Sequence, residues 1–201
     1  MTNNTGLLAR YLPWLDPNYR KYGNPDVVVH KLRFIGNVVE NEDDSVDFDT
    51  NNPFFQETPY LWEGKKVLDL GCGGRETLDK LLEHYPSIDY TGLDIEEGNG
   101  VDVVADAKEE LPFQDKEFDT VCAFGFLPDN INHWARCLKE DGYFVASCTQ
   151  SSWDKKPHWY RNIKKVFKII EERRYSFMFK EKYANRSRRM EEVRVIAVRK
   201  K

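Results

Sequence analysis

Between Lys65 and Cys148, short apolar runs ending in glycine or acid alternate with segments of helical spacing, and this alternation constrains the fold more than any other feature. Lys66-Val67-Leu68-Asp69-Leu70 leads into Gly71-Cys72-Gly73-Gly74 and reads as a buried strand opening into a glycine loop. Leu78, Leu81, Leu82 and Tyr85 then recur with the period of a helix that has one apolar face. Further strands are expected over residues 90–95, 101–104, 118–124 and 142–148. Asp129 or Asn130 can cap a helix carrying Trp134, Cys137 and Leu138. A basic helix with Ile163, Val166, Phe167 and Ile170 on its apolar face follows, then two strands near 175–179 and 193–198 spaced like an edge hairpin. Such a chain is expected to fold as an α/β, doubly wound, mostly parallel sheet with helices on both faces.

Residues 1–60 differ in character and are expected to form a helical or loop extension, a lid or substrate-binding cap, beside a domain over 61–201. They hold five prolines and the aromatics Tyr11, Trp14, Tyr19 and Tyr22. After Pro25, Asp26 can cap a helix with Val28, Leu32, Ile35 and Val39 on one face, and residues 41–52 read as a polar loop. No run approaches the ~18 apolar residues of a membrane span, and the N-terminus lacks the basic start and apolar stretch of a secretory signal. Four scattered cysteines without a CxxC pair fit buried, reduced thiols of a cytoplasmic protein and no metal site. From Ser151 onward there are 17 Lys/Arg against 6 Asp/Glu, a basic region able to attract nucleic acid or another anion, or simply a solvated helix face.

In an open parallel sheet, ligands bind beyond the carboxyl ends of the strands. Asp69 precedes the glycine loop, where a carboxylate would repel a pyrophosphate but engage a cationic headgroup. Asp94 closes the next strand, where two oxygens can accept both hydroxyls of a ribose. Asp106 follows the third and could accept from an adenine amino group. Three acids at successive strand ends suit a ligand with an ammonium, a ribose and an adenine but no phosphates. A nicotinamide dehydrogenase loop would need glycine at position 76, which is Glu76.

At these residues the chain resembles class I S-adenosylmethionine-dependent methyltransferases. Val67-Leu68-Asp69-Leu70-Gly71-Cys72-Gly73-Gly74 looks like their first motif, and Gly92-Leu93-Asp94-Ile95 like their second. Residues 102–107, with Leu111-Pro112-Phe113 and Phe118-Asp119, resemble the third and fourth, and residues 138–145 the lead into strand five. The resemblance covers about residues 65–150 and implies a seven-stranded sheet with a reversed edge strand and S-adenosyl-L-methionine as cofactor. By position, Asp69, Gly71, Cys72 and Gly73 would hold its methionine part, Asp94 and Ile95 its ribose side, and Asp106 and Ala107 its adenine. Phe124 and Gly125 would flank the methyl donor. Two departures stand out: Arg75 replaces the usual third glycine, and residues 95–100 are too few for the usual crossover helix.

Methyl transfer is an in-line displacement that positioning can largely drive, so a base is optional. His133 is the candidate general base, and Trp153, His158 and Trp159 are candidates for stacking on a substrate. Asn52-Pro53-Phe54-Phe55 is similar to the amine-clamping signature of DNA methyltransferases, but it lacks one proline and precedes the first strand of the motif set. The activity expected is methylation of a small-molecule acceptor. The alternatives are RNA or protein methylation through the basic region, or a non-catalytic scaffold that keeps the fold.

Overall fold

A computed structural model describes residues 28–29, 33–40, 46–48, 54–125, 127–149, 153, 157–180 and 187–200. The strands are β1 (Val28–Val29), β2 (Arg33–Glu40), β3 (Val46–Phe48), β4 (Lys66–Leu70), β5 (Asp89–Asp94), β6 (Val103–Val104), β7 (Phe118–Phe124), β8 (Leu138–Thr149), β9 (Phe167–Lys180) and β10 (Ser187–Arg199). Helices are α1 (Phe54–Glu57), α2 (Glu76–His84), α3 (Ile131–Ala135) and α4 (Pro157–Val166), with a 3-10 turn at Pro59–Leu61. None of these is long and apolar enough to cross a membrane.

All ten strands form one sheet, in the order β3-β2-β9-β10-β8-β7-β4-β5-β6, with β1 also on β9. The seven strands from β6 to β9 are those the resemblance implies: β6, β5, β4, β7 and β8 run parallel, and β10 enters antiparallel between β8 and β9. The late hairpin is therefore present, but it is not the edge, because β1 and β2 add parallel to β9 and β3 pairs with β2. The helix expected from Val28 to Val39 is replaced by strands. Its spacing also fits β-branched runs, and the outer edge of the 14-residue β9 offers a partner that local pattern does not reveal. Part of the expected loop at 41–52 is likewise strand β3.

The basic helix ends at Val166, short of its expected extent; Phe167 and Ile170 belong to β9. Phe167 and Ile169 are buried and Lys168 is exposed, the period-two alternation of a strand. Leu138 begins β8 rather than extending α3. Residues 95–102 hold no helix, so the short connection is as the sequence indicates.

Strand alternation divides the core between the two faces of the sheet. Leu68, Leu70, Val121, Ala123, Phe144 and Ala146 face Trp134, Trp159 and Ile163 on one side. Val67, Cys122, Val145 and Ile196 face Phe54, Phe55, Trp62 and Leu81 on the other. With both faces covered, these strands read as nearly continuous apolar runs. Trp134 is fully buried and stacks on Phe144 with centroids 4.4 Å apart and on Phe167 at 5.6 Å. Trp134→Ala is expected to cost about 3–5 kcal/mol in a denaturant melt. A loss below about 1 kcal/mol would contradict this packing.

Candidate functional site

The carboxyl ends of β4, β5 and β6 lie side by side and bring the glycine loop against Asp94. Gly71 and Gly73 take left-handed φ values of 67° and 62°, which side chains rarely adopt. The loop hangs from β5 by Gly71 N–H and Cys72 N–H, both donating to the Leu93 carbonyl at 2.7 and 3.0 Å. Gly73 N–H donates to Asp94 Oδ2 at 2.8 Å, while Asp94 Oδ1 accepts from the N–H groups of Ile95 (2.7 Å) and Glu96 (3.3 Å). Asp94 is thus fixed in orientation by three backbone donors. Beyond it, Ile95 is 63% exposed, an apolar surface beside the loop. Asp106 Oδ1 accepts from Lys108 N–H at 2.9 Å, and Ala107 packs on the edge of the core.

Arg75 does not reach over the loop. Its guanidinium runs along α2 to Asp79, with Nη2 at 3.1 Å from Oδ1. Its stem instead lies against Gly100, where an added Cβ would stand 2.6 Å from Arg75 Cγ. Gly92 is as tightly placed: a Cβ there would meet the Gly100 carbonyl oxygen at 2.3 Å. The space given up by the missing third glycine is recovered in the short connection, so Gly100 has to remain glycine.

Asp69 is deeply buried at the site. It is 1% exposed, its Oδ2 accepts from the Tyr90 hydroxyl at 2.7 Å, and its Oδ1 is buried with no hydrogen-bond partner. Burial raises its carboxyl to about 7, offset in part by the Tyr90 hydrogen bond and by the nearby Cys122 and Thr77 side chains. The same burial pushes the Cys72 thiol up to about 12 and Cys122 well above its ordinary range, so neither is a thiolate at neutral pH. Burial also raises the Tyr90 hydroxyl.

The remaining candidates scatter. Phe124 does end β7, but its ring packs into an aromatic cluster, 5.8 Å from Phe55 and 6.4 Å from Phe54. Gly125 continues with φ 83°. Trp153 and Trp159 are 7% and 1% exposed, and their indole N–H groups donate to the carbonyls of Val193 (3.2 Å) and Pro128 (2.7 Å). Both belong to the hydrophobic core cluster, with their indole donors satisfied. His158 is exposed on α4. His133 is half-buried on α3 with Nδ1 unpartnered. Tyr11, Trp14, Tyr19, Tyr22, Asn52 and Pro53 lie outside the described residues, while Phe54 and Phe55 are core. Sequence reasoning assigned no site role to Tyr90 or Arg194, and gave Asn130 only a helix-capping one. Asn130 holds the loop after β6 through its side-chain N–H on the Lys108 carbonyl at 2.7 Å. Arg194 carried a legible signal, a charge inside the apolar run Val193–Val198.

Residues 49–185 match the family model of a methyltransferase domain. A fatty-acid O-methyltransferase of Mycolicibacterium smegmatis is 29% identical over 49% of this chain and 42% of its own length. A trans-aconitate 2-methyltransferase of Rhodopseudomonas palustris is 26% identical over 45% of this chain and 30% of its own. The chain thus spans less than half the length of these curated relatives. Among solved structures, an S-adenosylmethionine-dependent methyltransferase from Mesorhizobium loti superposes with TM-score 0.50 at 16% identity, covering 75% of this chain and 98% of that one. One from Methanosarcina mazei gives 0.51 at 19% identity, covering 73% and 96%. The strand order, the glycine loop on Asp94 and the family match together place the chain in the class I S-adenosylmethionine-dependent methyltransferase family.

Proposed function

We propose that this protein transfers a methyl group from S-adenosyl-L-methionine to a small-molecule acceptor. One observation carries the reading: Asp69, Asp94 and Asp106 stand at the ends of three adjacent strands, and Asp69 keeps a buried oxygen without a partner. Such an orphaned atom fits an incoming cationic group. Asp94 already has both oxygens oriented by backbone donors, so its remaining lone pairs suit the two hydroxyls of a ribose. The exposed side chain of Ile95 suits one face of an adenine, with Asp106 accepting at the ring edge.

The bound cofactor would supply a methyl group on a positively charged sulfur. The protein's own part is to bind, orient and exclude water. Gly71 and Gly73 let backbone approach the ligand, and the phenylalanines over the end of β7 shield the adjoining space from solvent. A small acceptor is supported by relatives named for a fatty acid and for trans-aconitate.

Incubation with methyl-labelled cofactor and a fractionated metabolite extract tests the reading. Label is expected in a low-molecular-weight fraction. Saturable cofactor binding without transfer to any fraction would overturn catalysis and leave a scaffold.

A further inference from the structure

The hydrogen-bonded register sets Phe124, Ser147 and Arg194 in one row across β7, β8 and β10, at the carboxyl ends of the two parallel strands. Arg194 is 5% exposed. Its Nε and Nη2 donate to Glu192 at 2.9 and 3.2 Å, whereas Nη1 is buried and has no hydrogen-bond partner among the described residues. A guanidinium cannot shed its charge, so only an acceptor can satisfy that nitrogen. Next in the row, Arg173 directs its Nη1 to Glu57 at 2.7 Å and its Nε to Glu171. Of these two arginines, only Arg194 keeps a buried nitrogen without a partner among the described residues.

Around this nitrogen the walls are aromatic. The Arg194 guanidinium carbon lies 4.5 Å from the Phe54 ring centroid and 5.4 Å from those of Phe124 and Tyr175. Cation–π contact holds the plane of the group and leaves the buried Nη1 as its unpartnered polar atom. It reaches back across β8 to the residue that closes β7. A ligand matching this corner has an apolar body and an oxygen that accepts. An amine would bring a donor against a donor.

We propose that Arg194 anchors the carboxylate of an apolar methyl acceptor, the product being a methyl ester; this rests on the methyltransferase reading above. A planar carboxylate fits the guanidinium edge, and it is ionised at neutral pH. One carboxylate oxygen stays on Nη1 while the other attacks the methyl carbon. The new C–O bond forms as the C–S bond breaks, with its electron pair returning to sulfur. The carboxylate's negative charge and the sulfonium's positive charge are both consumed, and no proton moves. That explains why β7 ends in Phe124 and Gly125 with no side chain able to act as a base.

Titration of the 201-residue protein with decanoate, decanol and decylamine, followed by tryptophan fluorescence, tests this. Decanoate is expected to bind at least about tenfold tighter than the other two, the work of one charge-assisted hydrogen bond. Arg194→Gln should remove that preference while S-adenosylhomocysteine still binds. Should Arg194→Gln fail to fold with Glu192 left unpaired, Glu192→Gln/Arg194→Gln removes the pair together and should show the same loss. Equal binding of decanoate and decanol, or a preference that survives in a folded Arg194 variant, would overturn the assignment. S-adenosylhomocysteine binding without decanoate binding defeats this inference alone. The reverse pattern upholds the carboxylate site and defeats the methyltransferase reading.

Discussion

Asp69→Asn is expected to match the wild type in stability near pH 4 and to exceed it by up to about 4 kcal/mol above pH 7. Burial raises this carboxyl from its ordinary 3.8 to about 7. Between those values the unfolded chain has lost the proton and the folded protein still holds it. The contribution of Asp69 is therefore most favourable below pH 4, declines as pH rises, and is flat beyond about 7. Asparagine fills the same space, can accept from Tyr90, and carries no charge to desolvate. Denaturant melts of both proteins at pH 5 and pH 8 check this. A difference that is constant with pH would contradict the buried, partly unsatisfied placement. On the proposed reading, the penalty serves binding: an ammonium next to Oδ1 would restore the charged form, and ligand uptake between pH 5 and 7 would release a proton.

Asp94→Ala carries the second large effect, a loss of at least about a hundredfold in cofactor affinity. Two ribose hydroxyls donating to a carboxylate contribute about 1.5–3 kcal/mol each, and both interactions vanish with the side chain. The loop loses its anchor as well, since Gly73, Ile95 and Glu96 all donate to this one group. Asp94→Asn should fall between the two, because one oxygen remains and an amine replaces the other. A folded Asp94→Ala protein that binds as the wild type does would remove the ribose assignment.

The parts of this architecture legible in the sequence share a physical cause. Leu68, Asp69 and Leu70 lie on a strand buried on both faces, and the glycines that follow are required by left-handed backbone at Gly71 and Gly73. Both signals are local. Arg75 was legible as a departure, but its consequence was not, because the residue that accommodates it, Gly100, is distant in sequence. The N-terminal strands were missed for a related reason. Val28, Ile35 and Val39 satisfy a helical template, and only the exposed edge of β9 decides otherwise. Phe167 and Ile170 satisfied the same template within a strand. Trp153 and Trp159 follow β8 as a site-rim residue would, yet contacts with the Val193 and Pro128 carbonyls turn them into the core. Arg194 became meaningful only through the strand register that sets it opposite Ser147 and close to Phe124.

Calorimetric titration of S-adenosylhomocysteine into the wild-type protein and into Asp94→Ala shows whether Asp94 and the glycine loop hold the cofactor. Saturable one-to-one binding to the wild type, lost in a folded Asp94→Ala variant, is the predicted result. Absence of binding to the wild type would contradict it and would mean that the glycine loop and its three strand-end acids serve no cofactor of this kind.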